Sequence, residues 1–465
     1  MKRTMIGSTP EKVGKEVVLQ GWVDSKRDHG KVTFIDLRDK SGIIQCVGVG
    51  KMGELTPESV VQIEGLIKDR PEKLVNKELK TGAIELEVKN YTVLNLSAEL
   101  PIPIDTDGYE VNEESRLKFR YLDLRRDRLQ KNMRLRSDLT REIRKELDSQ
   151  EFVEIETPLL TKSTKEGARD FVVPSRFQPG KFYALPQSPQ QYKQLLMTAG
   201  FEKYYQIARC IRDEDLRADR GFEFTQVDLE MSFVDRDGVM KMVEKMVKTV
   251  VQEVGGVLRD QQFPVFTYKE AIKQYGEDKF DLRTESEKKA GKLAFAWVVD
   301  FPFFKEVDKK DVAEVRDGKS GWTFTHNPFS QPQEKYLKDH LAGEKVGEIL
   351  TTQYDLVCNG HELGGGSIRA HDPEVLKSTF RTMGYTDEQI EDSIGHMLSA
   401  FKVGTPPHGG IALGLDRLVM LLAGETSLKE IVPFPMTSTG RTSVMDAPNT
   451  ISAEQLKELG LKVES

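Results

Sequence analysis

The sequence predicts a small all-β barrel followed by a larger α+β domain in which an antiparallel sheet is flanked by helices. Residues 17–96 contain about five short strand patterns separated by Gly, Asp and Lys turns. Two prolines in 100–104 indicate an extended connector and a domain boundary. Beyond it, helical periodicity in 129–150 and 237–259, a hairpin pattern in 205–230 and a buried-strand pattern in 294–304 place helices and strands in one domain.

Composition narrows the class of protein. The chain has 465 residues, 38% of them hydrophobic and 31% charged, as expected of a folded globular protein with more than one domain. No stretch approaches the roughly 18 apolar residues that a membrane-spanning helix needs. Since the N-terminal residues also lack the apolar core of a signal peptide, the sequence predicts a cytoplasmic protein without a membrane partner.

Charge and cysteine content exclude further classes. A net charge of −7 argues against a protein coated in nucleic acid, such as a general DNA binder, and restricts any RNA contact to local basic patches. The three cysteines, Cys46, Cys210 and Cys358, are far apart in the sequence. They predict neither a disulfide framework nor a structural zinc site.

The barrel is predicted to be an oligonucleotide-binding (OB) fold, which has five strands in about this length. Arg27 in a loop between strands, Phe34 in the next strand and Gln45 in the one after it offer a basic group, a stacking face and an amide that can read a base edge. A barrel without a ligand, or one that binds protein, is the alternative. The predicted strands are 17–23, 32–37, 43–49, 60–67 and 83–94.

The hairpin at 205–230 is the most informative stretch of the second domain. Apolar residues alternate on both sides of a charged, Gly-containing loop. Because guanidinium groups bind phosphate through two parallel hydrogen bonds, arginines on such a loop suit a polyanionic ligand. A solvated loop whose charges pair with one another is the alternative. The arginines are Arg209, Arg212, Arg217 and Arg220.

The residues of this hairpin carry a family resemblance. The strings Ile211-Arg212-Asp213-Glu214 and Phe222-Glu223-Phe224-Thr225-Gln226-Val227-Asp228, with Arg220 between them, resemble motif 2 of the class II aminoacyl-tRNA synthetases, in particular the bacterial aspartyl group. The resemblance covers almost the whole chain. The helix and strand in 129–160 resemble motif 1, which implies a homodimer, and 409–422 resembles motif 3.

The resemblance implies ATP-dependent attachment of L-aspartate to tRNA(Asp) through an aspartyl-adenylate. The attacking α-carboxylate is already an anion, so no general base is required and catalysis rests on positioning and charge stabilisation. The implied catalytic residues are Arg212, Glu362 and Arg417. The implied ATP-binding residues are these three with Glu214, Arg220, Phe224 and Gln226.

The remaining sites follow from the same resemblance. Lys193 and Arg369 are implied to read the side-chain carboxylate of aspartate, and a loop at 164–171 to close over the amino acid. Asp355 and Glu362, which flank a triple glycine, are oxygen donors of the kind that holds Mg²⁺. The other implied aspartate-binding residues are Glu166, Ser188, Gln190, Asp228 and His326, and those for the tRNA anticodon are Arg27, Phe34, Gln45, Asn76 and Glu85.

The expected domains are an anticodon-binding barrel at 1–103, a hinge at 104–130 and a catalytic domain at 131–465. The basic stretch 116–136 has apolar residues at helical spacing, which predicts one buried side and one basic side. That basic side is either solvated or in contact with the tRNA backbone.

Two departures from the bacterial aspartyl pattern stand out. A short linker near 284–293 replaces an inserted domain of roughly a hundred residues, a size typical of independent domains. Asn327 follows His326 where two adjacent histidines are common in the group. Charging of tRNA(Asn) as well as tRNA(Asp) therefore stays open. The alternatives are an asparaginyl-tRNA synthetase, an amino-acid ligase that uses no tRNA, and a tRNA-binding relative with an inactive site.

Overall fold

The computed structural model describes residues 2–50, 52–164, 166–307 and 320–463. Lys165, in the loop predicted to close over the amino acid, lies outside them. The chain divides between Pro103 and Ile104 into two compact units. Within the described ranges, no helix combines the length and the apolar character needed to cross a membrane.

The first unit is a closed five-stranded barrel, which confirms the predicted fold. Its strand order is β1-β2-β3-β5-β4, with β1 paired antiparallel to both β2 and β4. Alternate residues point inward, so that Val23, Ile35, Ile44 and Ile63 form a buried core. The strands are β1 (Glu16–His29), β2 (Val32–Asp39), β3 (Gly42–Val49), β4 (Val60–Asp69) and β5 (Ile84–Asn95).

The second unit is built on an eight-stranded sheet with the order β11-β12-β15-β16-β17-β10-β9-β6. The six inner strands pair antiparallel, whereas the edge strands β11 and β6 join in parallel. This sheet confirms the predicted α+β class. Its strands are β6 (Val153–Glu154), β9 (Lys203–Ile211), β10 (Glu223–Ser232), β11 (Val265–Thr267), β12 (Phe295–Val299), β15 (Tyr354–Cys358), β16 (His361–Ile368) and β17 (His408–Gly414).

Two small hairpins and a set of helices complete this unit. Helices α3, α5 and α11 bury their apolar stripes with the inner strands in one large core, while α4 packs on β9 and β10. The hairpins are β7 (Val172–Pro174) with β8 (Phe182–Ala184), and β13 (Phe304–Glu306) with β14 (Trp322–Phe324). The helices are α1 (Glu113–Lys118), α2 (Arg120–Asp123), α3 (Asp127–Ser149), α4 (Gln190–Thr198), α5 (Arg236–Glu253), α6 (Tyr268–Tyr275), α7 (Glu285–Lys289), α8 (Leu337–Ala342), α9 (Pro373–Thr382), α10 (Asp387–Phe401), α11 (Leu415–Ala423) and α12 (Ala453–Glu458).

Some predicted elements are longer than those observed, for local reasons. The helix predicted at 237–259 ends at Glu253, because Gly255 adopts a left-handed φ of 83° that closes the helix. The strand predicted at 294–304 ends at Val299, where Asp300 has a φ of 60°. Arg27, predicted in a loop, lies within β1.

Only part of the basic stretch 116–136 forms the exposed basic side that the sequence predicts, since Lys118, Lys131 and Arg134 are exposed but the arginines around Asp123 are not. Arg116, Arg120 and Arg126 are buried and surround the buried carboxylate of Asp123. Their guanidinium nitrogens lie 2.6 to 3.0 Å from its oxygens. Glu430 accepts from Arg116 at 2.7 Å and from Arg128 at 2.8 Å. We call these residues, with Glu425, the Asp123 cluster. It binds α1 and α2 to the segment that follows α11, and its buried arginines are not available to RNA.

Candidate active site

A cavity of about 330 Å³ opens over the inner strands of the second unit. It is lined by the β9–β10 hairpin, by β16 and by the turn from β17 into α11. The hairpin is paired in register from Lys203 opposite Met231 to Ile211 opposite Glu223, which leaves the predicted charged loop at its tip. The antiparallel sheet therefore brings together sequence segments that are up to about two hundred residues apart.

The floor of this cavity is backbone at Gly364 and Gly365, which line it. A Cβ atom on Gly364 would lie 2.2 Å from the carbonyl oxygen of Ala412, and one on Gly365 would lie 2.7 Å from Asp355 Oδ1. Such distances exclude any side chain, so β16 and β17 approach each other as bare strands at this point. A ligand can lie directly against them.

One group of lining residues offers hydrogen-bond acceptors. The Ser188 hydroxyl donates to Glu166 and accepts from the backbone N–H of Gln190. Glu166 Oε1 and Asp228 Oδ2 are buried and have no hydrogen-bond partner among the described residues. Burial raises the pKa of Glu166, although Ser188 and Arg212 oppose the shift. Two buried acceptors without donors suit a ligand that brings an ammonium group.

Behind this group lies a buried network, here called the Lys193 network. The Lys193 ammonium lies 2.6 Å from Asp228 Oδ1 and 3.1 Å from Glu230 Oε2. Arg369 donates to both oxygens of Glu230, at 2.9 and 3.1 Å. Lys193 and Arg369 are each 1% exposed and do not line the cavity, whereas Asp228 does. The two cations already have carboxylate partners in the absence of a ligand.

The two carboxylates of the network differ in proton affinity. Burial alone would raise the pKa of Glu230, but Arg369 and Lys193 lower it to about 2. The pKa of Asp228 is raised, since burial outweighs the single contact with Lys193. The difference follows from the number of donors, because Glu230 has donors on both oxygens and Asp228 on one.

A second group of lining residues is basic and aromatic. The guanidinium of Arg212 lies over the ring of Phe224 at 5.0 Å, and Arg220 pairs with Glu214 at 3.1 Å. Arg417 approaches Asp219 at 3.4 Å and donates to the Glu362 carbonyl. A stacking ring among guanidinium groups suits an aromatic ligand that carries phosphates. Gln226 lines the same cavity.

Two carboxylates lie near the starts of β15 and β16. Asp355 is 2% exposed, and Glu362 lines the cavity. The Lys279 ammonium lies 2.9 Å from Glu362 Oε2, and His326 Nδ1 lies 3.7 Å from Asp355 Oδ2. Among the described residues, no group of three or more His, Cys, Asp or Glu could hold a metal. Two carboxylates fit a hard cation only where a ligand or water supplies further oxygens.

Two members of the site, Glu230 and Lys279, are not predicted from the sequence. Glu230 lies two residues after Asp228 on β10 and therefore faces the same side of the strand, a spacing that could have revealed it. Lys279 lies in the segment between α6 and α7, where no periodic pattern predicts its direction.

The barrel brings four of the five predicted anticodon residues to one face. Arg27 pairs directly with Phe34 across β1 and β2, and Gln45 donates to Glu85 at 3.0 Å. Asp36 accepts from Arg27 at 3.0 Å and pairs with Gln45 across β2 and β3. The fifth, Asn76, lies in the turn-rich segment between β4 and β5, where its side chain accepts from the Glu78 N–H.

Two families match the chain. Residues 112–438 match the tRNA synthetases class II (D, K and N), and residues 17–94 match the OB-fold nucleic acid binding domain. The aspartate–tRNA(Asp/Asn) ligase of Corynebacterium aurimucosum is 40% identical over 577 residues, covering 97% of this chain and 95% of that protein. The aspartate–tRNA ligase of Staphylococcus aureus is 38% identical over 574 residues, covering 97% of each. Both alignments are longer than this chain, so a long stretch of each relative has no counterpart here.

Solved structures share the fold at lower identity. A putative aspartyl-tRNA synthetase from Leishmania major superimposes with a TM-score of 0.74 at 21% identity, covering 93% of each chain. The asparaginyl-tRNA synthetase from Pyrococcus horikoshii gives a TM-score of 0.73 at 22% identity, covering 94% of this chain and 98% of that one. At such identities the likeness establishes the architecture alone.

Proposed function

This chain belongs to the class II tRNA synthetases of the D, K and N group, and we propose that it attaches L-aspartate to tRNA(Asp) at the expense of ATP. One observation carries the proposal beyond family membership. A single cavity combines buried carboxylate oxygens that lack donors with a ring and guanidinium groups suited to a nucleoside phosphate. An amino acid and ATP fit these two groups of residues.

The first step forms aspartyl-adenylate. The α-carboxylate of aspartate attacks the α-phosphorus of ATP, a new P–O bond forms, and the bond to the β-phosphate breaks to release pyrophosphate. No proton moves, because the nucleophile is already an anion. Arg212 and Arg417 stabilise the charge that develops on the phosphates. Phe224 and Arg417 hold the adenine between them, and Glu214, Arg220 and Gln226 complete the nucleotide site.

The second step transfers the aspartyl group. A hydroxyl of the terminal ribose of tRNA attacks the activated carbonyl, an ester bond forms, and the bond to AMP breaks. The hydroxyl proton passes to a phosphate oxygen of the departing AMP and from there to water. The bare floor at Gly364 and Gly365 allows the reacting groups to approach the sheet closely.

Aspartate is held by two groups of residues. Glu166 and Asp228 accept from its ammonium group, which supplies the donors that their free oxygens lack. Lys193 and Arg369, behind Asp228 and Glu230, set a positive potential for its side-chain carboxylate. Ser188, Gln190 and His326 complete the surroundings. Because Lys193 is already paired, its charge alone does not exclude asparagine. The closer similarity to aspartate ligases favours aspartate over the asparaginyl alternative.

Mg²⁺ is proposed as a cofactor of the ATP site. Asp355 and Glu362 would hold it, and when bound it would neutralise charge on the phosphates. The donor set supports this assignment in part, since the remaining ligands must come from ATP or water. Lys279 must leave Glu362 for that carboxylate to become available.

The barrel is proposed to read the anticodon of tRNA. Phe34 offers its ring for base stacking, while Gln45 and Glu85 offer hydrogen bonds to base edges, and Arg27 and Asn76 flank them. The relative from Corynebacterium carries both tRNA(Asp) and tRNA(Asn) in its name. We therefore include the charging of tRNA(Asn) by this chain in the proposal.

A homodimer is proposed through the motif 1 segment. Val153 on the edge strand β6 and Leu159 and Leu160 just after it are 47%, 51% and 53% exposed. Large apolar side chains at this density on a sheet edge support contact with a second copy.

The decisive experiment is aminoacylation with labelled aspartate on separate transcripts of tRNA(Asp) and tRNA(Asn). We expect tRNA(Asp) to be charged. If the enzyme is nondiscriminating, tRNA(Asn) will be charged with aspartate as well. Asparagine with tRNA(Asn) is the control for the asparaginyl alternative. Loss of tRNA charging while aspartate-dependent pyrophosphate exchange persists would contradict the tRNA proposal alone. Absence of both reactions would overturn the proposed function.

A further inference from the structure

Lys279 lies in the connection between α6 and α7 and projects into the candidate active site. Its ammonium pairs with Glu362 at 2.9 Å and lines the same cavity as Arg212 and Arg417. This connection precedes the linker at 284–293, far in sequence from the other lining residues. Lys279 has no place in the reaction as derived above.

The charges near Lys279 are otherwise unbalanced. Asp355 is 2% exposed, and the Glu362 side chain is 27% exposed with the Lys279 ammonium 2.9 Å from its Oε2. Two carboxylates this close repel each other unless a cation lies beside them. In this structure Lys279 is that cation.

The Lys279 side chain is suited to move. It is 44% exposed, compared with 1% for Lys193, and its pair with Glu362 is the only ion pair it makes among the described residues. A lysine carries a compact charge on a flexible stem with three donors that can turn from one anion to another. A cation that can swing inside a cavity built for phosphates has a second partner available.

We propose that Lys279 is the resident counter-ion of Asp355 and Glu362 and that it transfers to the β- and γ-phosphate oxygens of ATP when the nucleotide binds with its metal. In the free enzyme it neutralises Glu362 and competes with free metal for that carboxylate. In the loaded enzyme it frees the carboxylate and binds the part of ATP that leaves as pyrophosphate. The inference rests on the proposed function for the identity of the nucleotide.

The test compares Lys279→Met with the charge-preserving Lys279→Arg and with Lys288→Met. Lys288 is a matched control, since it lies nearby on α7 and pairs with Glu285 at 2.8 Å on the surface. The first measurement is binding of MgCl₂ alone by calorimetry, without aspartate or tRNA. The second is binding of ATP at saturating Mg²⁺. A third variant, Lys279→Gln, serves if the methionine variant does not fold.

We expect Lys279→Met to bind free Mg²⁺ about tenfold more tightly than the unmodified protein, and ATP about tenfold more weakly, as loss of one charged contact predicts. Lys279→Arg and Lys288→Met should stay close to the unmodified protein in both. Unchanged or weaker binding of free Mg²⁺ would overturn the counter-ion role, and unchanged ATP binding would overturn the transfer to phosphate. Because metal binding needs no aspartate, this result is independent of whether the protein proves to charge tRNA.

Discussion

The Asp123 cluster and the Lys193 network bury the same kinds of charged residue in one domain, but they differ in how completely those charges are satisfied. Both oxygens of Asp123 accept from guanidinium groups, and Arg120 also donates to three backbone carbonyls in the segment 429–433. Asp228 accepts from Lys193 on one oxygen, and its other oxygen is buried without a partner among the described residues.

This difference separates a structural ion network from a binding one. A buried network with every partner in place loses much when one member is removed, because the others remain buried and unpaired. A network with an open acceptor at its edge gains when a ligand arrives with the missing donor. We therefore expect the Asp123 cluster to govern stability and, under the proposed function, the Lys193 network to govern substrate binding.

The largest effect should come from Asp123→Asn. Three buried guanidinium groups would lose their shared carboxylate, so we expect the free energy of unfolding to fall by about 3 to 5 kcal/mol. Urea denaturation measures it. Asp138→Asn is the matched control, because Asp138 makes a 2.9 Å pair with Arg141 on the exposed side of α3, where about 0.5 kcal/mol is expected. A loss of similar size in both variants would remove the distinction between the two regions.

Lys193→Met tests the other side of the comparison. We expect the KM for aspartate to rise about a hundredfold, on the order of 2.7 kcal/mol, while the KM for ATP stays within about threefold. Aspartate-dependent pyrophosphate exchange supplies both values. The control is Lys203→Met, because Lys203 lies on the same sheet but outside the cavity. Equal losses for aspartate and ATP would show that Lys193 supports the fold of the site and does not select the amino acid.

Glu430→Gln should separate the regions by their response to acid. The pKa of Glu430 and that of Asp123 are lowered by hydrogen bonds from Arg116, which outweigh burial. Because its pKa is lowered in the folded protein, the Glu430 carboxylate stabilises the fold at neutral pH. This contribution is lost as the pH falls below the ordinary pKa of about 4.5 toward the lower pKa of the folded protein. In the Lys193 network the raised pKa of Asp228 and the lowered pKa of Glu230 have opposite effects on how stability changes with pH.

We therefore expect Glu430→Gln to cost about 1 to 3 kcal/mol at pH 7 and to show a shallower loss of stability between pH 5 and pH 3, to about half the slope. Urea denaturation at a series of pH values measures both quantities. A slope equal to that of the unmodified protein would place the acid sensitivity outside the Asp123 cluster.

Tyr109→Phe should have the smallest effect. The Tyr109 hydroxyl donates to Glu425 at 2.8 Å at the edge of the Asp123 cluster, while its ring lies 4.2 Å from the Arg128 guanidinium. Phenylalanine keeps the ring contact and removes one hydrogen bond, so about 1 kcal/mol is expected from the same denaturation experiment. A loss above about 2 kcal/mol would mean that the cluster acts cooperatively out to its edge.

The sequence predicted the parts of the site that lie on regular elements. The hairpin of β9 and β10, with Arg212 and Phe224 beside its loop, was recoverable because strand alternation fixes which side chains share a face. The burial of the arginines around Asp123 is not predicted, because their second carboxylate partner, Glu430, lies about three hundred residues away in the sequence. Helical periodicity alone cannot distinguish a buried guanidinium from a solvated one.

A different reason explains why Lys279 and the pairing of Lys193 are not predicted from the sequence. Lys279 lies in an irregular connection, where no periodicity indicates direction, and its partner Glu362 belongs to a distant strand. Lys193 was identified, but its pairing with Asp228 and Glu230 depends on how α4 packs on β10. Long-range electrostatic pairing is thus the part of the site that local pattern could not supply.

The glycine floor limits how this enzyme can be altered. At Gly364 a single added carbon would meet the Ala412 carbonyl oxygen at 2.2 Å, and at Gly365 it would meet the Asp355 carboxylate at 2.7 Å, so neither position accepts a side chain unless the strands move apart. Selection for another amino-acid substrate, in the laboratory or in evolution, can therefore not reshape the cavity from below. Any change of specificity has to come from side chains on the walls, among them Ser188, Gln190 and Asn327.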